Sequence, residues 1–136
     1  MIKRILTGFL AACMLPAATV SAQQTPANLD EAIVEFTRVC MADQTQYFDS
    51  YAQAETSCAC SLGMSGGYFN EADFISYLVL LQELLKHGDL STDEQFDSFV
   101  NALLARGFDE EKIIDFMAAA EELGEIEVTY CGAYWE

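Results

Sequence analysis

Residues 70–88 read NEADFISYLVLLQELLKHG, and this stretch sets the architecture. Asn70 is a helix-capping residue type. Glu71 and Asp73 suit the positive start of a helix dipole, and Lys86 and His87 suit its negative end. Gly88 supplies the stop. Between these signals, Phe74, Ile75, Tyr77, Leu78, Val79, Leu80, Leu81, Leu84 and Leu85 cover most of the helix circumference. A helix apolar on nearly every side is central to a small bundle, or else one of its sides meets a partner. Centrality is the stronger reading, because flanking helices need something to pack around.

The same pattern repeats outward. Ser91 or Thr92 caps a run to Arg106 that Gly107 stops, and Asp109 caps a run to Leu123 that Gly124 stops. Phe69 with Phe74, and Phe108 with Ile113 or Lys112, stand near hydrophobic-staple positions around their caps. Upstream, Asn28 with Glu31 forms a capping-box pattern that opens a helix from Leu29 to about Ala42. Leu29, Ile33, Phe36 and Cys40 mark its buried face. A further helix is expected from Glu55 to Met64, ended by Gly66-Gly67, with Asp43 to Ala54 as a short turn or connection. From Glu125 onward the period changes. Ile126, Val128 and Tyr130 alternate with Glu125, Glu127 and Thr129, which predicts an extended arm over residues 125–136. The fold expected is all-α: a small bundle of about five helices, cross-linked by two disulfides, with that extended C-terminal arm.

The first residues read differently. Lys3 and Arg4 precede an apolar run from Ile5 to Leu15, and Val20-Ser21-Ala22 has the small residues of a signal-peptidase site. The expected organisation is a secretory signal over residues 1–22, a flexible lead-in over 23–28 and one helical domain over 29–136. Leu10-Ala11-Ala12-Cys13 also matches a lipobox, which would make Cys13 a lipidated first residue. The short apolar run before Cys13 and the apolar residues continuing to Val20 disfavour that alternative. The protein is therefore expected to be periplasmic or secreted, with no transmembrane segment in its mature chain.

All 22 acidic residues follow Ala22, against four basic ones: Arg38, Lys86, Arg106 and Lys112. Removing the leader moves the formal charge from −16 to about −18. Nucleic-acid binding needs cations that displace phosphate counterions, so this charge excludes it, and anionic lipid surfaces are disfavoured.

Cys13 leaves with the leader, so Cys40, Cys58, Cys60 and Cys131 remain, an even number in an exported domain. A Cys58–Cys60 bridge would close a very tight ring, which leaves the two pairings that split this Cys-Ala-Cys. On a helix these residues point about 200° apart. One of them faces the helix of Cys40 and the other the tail of Cys131. A bridge to Cys131 closes roughly 70 residues and is worth about 4 kcal/mol by loop-closure entropy. The alternative use of this sulfur is soft-metal binding, with Cys58, Cys60 and Met64 as copper(I) ligands.

No catalytic constellation emerges. His87, the only histidine, sits at a helix end where it serves terminal carbonyls. Asp89, Ser91, Asp93 and Asp97 echo a calcium loop but fail at Glu94, where the turn needs glycine, and at Val100, where a bidentate glutamate is needed. No phosphate-binding glycine loop is present. No enzyme activity, cofactor or metal is expected. The leading expectation is a non-enzymatic exported interaction module, an accessory or assembly subunit. Its protein partner would meet Tyr130, Tyr134, Trp135, and Tyr77 and Leu81 on the Glu71–His87 helix, since Tyr and Trp dominate binding hot spots. The alternatives are an acid-responsive periplasmic holdase and a copper-handling protein.

Overall fold

In the computed structural model, residues 25–134 are described. They form α1 (Leu29–Gln44), α2 (Tyr51–Tyr68), α3 (Glu71–His87), α4 (Asp93–Ala105) and α5 (Glu110–Cys131), closed by a 3₁₀ turn at Gly132–Tyr134. There is no strand among the described residues. The leader, the lipobox Cys13 and Trp135 lie outside them, as does the side chain of Tyr134.

Each helix begins because a side chain satisfies a terminal backbone N–H that has no partner within the helix. Asn28, Asn70 and Asp109 accept from Glu31, Asp73 and Lys112 N–H respectively. Thr92, not Ser91, caps α4, in a reciprocal capping box with Gln95. Ser50 caps α2 by accepting from Gln53 N–H, so this helix starts one turn earlier than the Glu55 expected from sequence. Gly88 and Gly107 adopt φ of 71° and 87°, backbone conformations that strain any residue with a Cβ.

α3 touches all four other helices and carries two cores. Phe74 and Leu78 pack with Ala32, Phe36, Cys40 and Met41 of α1 and with Ala54 and Cys58 of α2. Tyr77, Val79 and Leu80 pack with Phe99 and Leu103 of α4, with Phe108, and with Ile113, Phe116 and Leu123 of α5. The disulfides are Cys40–Cys58, joining α1 to α2, and Cys60–Cys131, joining α2 to the end of α5. Their Cα–Cα distances are 6.0 and 5.9 Å, ordinary for a bridge. Cys58 and Cys60 thus serve opposite neighbours. Two bridges fit an extracellular or periplasmic protein, and among the described residues no helix is long and apolar enough to cross a membrane.

Two expectations are corrected. First, Gly66-Gly67 does not end α2, which continues to Tyr68. A Cβ on Gly66 would lie 3.3 Å from the Phe74 ring, so this glycine permits close approach to α3. Second, the arm over 125–136 is not extended in its described part: α5 runs through Gly124 to Cys131. Leu123 and Cys131 are buried and Ile126 and Glu127 half-buried, whereas Val128 and Tyr130 are exposed. Helical period therefore wins over alternation. A lone strand would leave its backbone groups unpaired, while a helix pairs them internally and lays one face on α2. Within the lead-in, the Thr25 hydroxyl donates to the Arg106 carbonyl at 3.0 Å. Pro26 is buried beside it in sequence.

Candidate functional site

The antiparallel pairing of α2 with α5 shapes one of the molecule's concavities. Cys60 is bonded to Cys131, the Ser61 hydroxyl donates to the Glu127 carboxylate, and the Tyr68 hydroxyl donates to Glu122 at 2.8 Å. The concavity is a half-open cleft of ≈ 310 Å³ bounded by α1, α2, α3 and α5. Its apolar wall is Phe36 with Leu81, Leu84 and Leu85, and Cys40 reaches it from the first bridge. Gln44, Ser57, Ser61 and Glu127 form its polar edge, where the Ser57 hydroxyl donates to Gln44 Oε1 at 3.4 Å.

Among the described residues Glu127 is the only charged group lining the cleft. Among the described residues no cation lies within ion-pair distance of it. Its charge is felt in the core: burial, and then the Glu127 carboxylate, push the Tyr77 phenol well above its usual range. Tyr68 is raised as well, chiefly because its hydroxyl is held by Glu122.

Arg106, Lys86, His87 and Lys112 are engaged elsewhere. Arg106 is buried, with its guanidinium 3.0 Å from Glu83 Oε1 and 3.8 Å from Glu35 Oε2. Lys86 and His87 each approach Glu83 at 3.4 Å. Lys112 lies over the rings of Phe108 and Phe116, 5.0 and 5.7 Å from their centroids. The buried Glu83–Arg106 pair was not anticipated from sequence. Its one signal was the Gln82-Glu83 interruption of an otherwise apolar α3, since charges inside a core are paired.

No protein-family model matches the chain, and no curated protein or solved structure is significantly similar to it. The arrangement of its own residues is what carries a functional reading.

The residues proposed from sequence as a partner surface are separated by the fold. Tyr77 is only 3 % exposed and packs against Phe69 and Phe116, so it belongs to the core and not to a surface. Leu81 is half-buried and lines the cleft. Tyr130 is 67 % exposed on α5. Tyr134 and Trp135 were named for this surface too, but their side chains lie outside the described residues. Of the suggested copper ligands, Cys58 and Cys60 are halves of two different bridges, and Met64 is half-buried. Among the described residues no three His, Cys, Asp or Glu side chains gather as a metal-holding group.

Proposed function

We propose that this protein is a non-enzymatic exported interaction module, an accessory or assembly subunit that binds a basic protein partner. The observation that carries the reading is a set of large side chains left exposed toward one end of the bundle. Tyr47 and Tyr51, 75 % and 67 % exposed, stand at the α1–α2 corner. Val128 and Tyr130, 62 % and 67 % exposed, stand near the end of α5. Because α2 and α5 run antiparallel, the start of one lies toward the end of the other. Tyr134 and Trp135 follow from that end in sequence.

Exposed aromatics on a folded domain are typical anchors of protein interfaces. The surrounding charge supplies selectivity, because a −18 surface steers basic partners toward it and repels acidic ones. The two bridges hold this end rigid, which lowers the ordering cost of association. A copper-handling role would need Cys58 and Cys60 as thiolates.

The test is affinity capture from the native exported fraction, with intact mass recorded before and after reduction. The expected mass corresponds to cleavage after Ala22 with two disulfides. The partner should be basic, and its binding should weaken at least tenfold in Tyr51→Ala/Tyr130→Ala and fall further with added salt. A partner held at full strength by that variant, and also by a chain lacking residues 133–136, would overturn the proposal.

A further inference from the structure

We propose that the cleft between α1, α2, α3 and α5 is a binding site for an organic cation with an apolar body, a primary alkylammonium, with Glu127 as its anchor. This inference stands apart from the partner surface and holds whichever protein that surface meets.

The shape fits such a ligand. A volume of ≈ 310 Å³ lies at the lower end of the range for small-molecule sites, about 300–1,000 Å³. It suits a single alkyl chain better than a fused ring system. Phe36, Leu81, Leu84 and Leu85 offer the chain one apolar wall, drawn from α1 and α3. Among the described residues the polar lining carries one formal charge, and that charge is negative.

The chemistry selects the sign of the ligand. Glu127 accepts from the Ser61 hydroxyl through Oε1, which orients the carboxylate. Beside an apolar wall the attraction between this carboxylate and an entering ammonium group is screened less than at the open surface. The protein's other carboxylates repel anions from the cleft mouth and raise the local concentration of cations. A neutral chain of the same length would gain the apolar wall alone. The ammonium group belongs either to a free small amine or to a lysine side chain presented by a peptide. Both present the same head and the same short alkyl stem.

The bridges make the site durable. Cys40–Cys58 backs the cleft on the α1–α2 side, and Cys60–Cys131 holds α5, and with it Glu127, against α2. Both walls are thereby fixed before any ligand arrives, as a preorganised pocket requires.

The experiment is a titration of the oxidised protein, followed by the methyl NMR signals of Leu81, Leu84 and Leu85. The probes are n-hexylamine, n-hexanol, hexanoate and Nα-acetyl-lysine amide. Hexylamine should shift these methyls and bind at least tenfold tighter than hexanol, with hexanoate weaker still. If acetyl-lysine amide binds more weakly than hexylamine, the natural ligand is a free amine; the reverse order points to a peptide lysine. Glu127→Gln should erase the preference for amine over alcohol, and Glu127→Asp should keep it. Thermal melting confirms that each variant is folded. The site is refuted if hexanol or hexanoate binds as tightly as hexylamine, if no probe moves the three leucine signals, or if Glu127→Gln keeps the preference.

Discussion

The two cores on either side of α3 are built from different materials. The α1–α2 side is assembled from small residues and sulfur, Ala32, Ala54, Cys40 and Cys58, around Phe36 and Phe74. The α4–α5 side is filled by large side chains, with Phe99 and Leu103 fully buried and Phe108, Phe116 and Tyr77 around them. The first side has a covalent bridge and borders a cleft. Among the described residues no bridge joins α4 to α5 or either of them to α3; α5 is tied only to α2, through Cys131, and this side carries the Glu83–Arg106 ion pair. A bridge stabilises by constraining the unfolded chain whatever the packing density, whereas an ion pair acts only in the folded one.

That contrast is most sharply broken at Arg106. Arg106→Ala should cost about 3–5 kcal/mol in urea denaturation, because it removes the buried partner of Glu83 and leaves that carboxylate to the more exposed Lys86 and His87 at 3.4 Å. Arg106→Met combined with Glu83→Met should recover most of this loss. If the double variant is as unstable as the single, the ion pair is not what closes the second core.

On the first side, replacing Cys60 and Cys131 with serine removes a link across 71 residues and should cost about 4 kcal/mol. Removing Cys40–Cys58, across 18 residues, should cost about 3 kcal/mol. Equal losses for the two bridges would show that loop-closure entropy does not set their values.

The second core also predicts an alkaline limit. The Tyr77 phenol is raised in the folded protein, so its contribution to stability is complete below pH 10 and is lost as pH rises above that value. The loss is about 1.4 kcal/mol per pH unit while folded Tyr77 stays neutral and the unfolded side chain ionises. Tyr77→Phe should flatten the stability profile above pH 10. An unchanged slope in that variant would assign the alkaline transition to other groups.

The smallest effect tests the helical end of α5. Gly124 lies inside a helix with open space where a Cβ would go, so Gly124→Ala should stabilise by about 1 kcal/mol. An extended arm starting at residue 125 would gain nothing from the change.

Four helix starts were legible in sequence because their caps are local. Asn28, Asn70, Thr92 and Asp109 each sit within three residues of the N–H they satisfy. Ser50 works in the same way. It was hidden by the aromatic run Tyr47-Phe48, which reads equally well as a connection. Glycine was the unreliable signal. Gly88 and Gly107 take positive φ and end their helices, whereas Gly66 lies under the Phe74 ring and Gly124 simply continues its helix. The site was less legible still. Leu81 was named for an outer surface and lines a cleft, Tyr77 was named with it and is core, and Glu127 appeared only as a polar residue in an alternating tail.

By itself the sequence determined an all-helical chain with acidic helix starts, a central α3 and four cysteines available for bridging. Each of these follows from local pattern or composition, which act over a few residues or over the chain as a whole. Only the tertiary structure decided that Cys58 meets Cys40 and Cys60 meets Cys131, that Arg106 closes on Glu83, and that Glu127 faces leucines across a cleft. These contacts depend on which helix faces lie opposite one another, and that is set by packing among residues far apart in the chain.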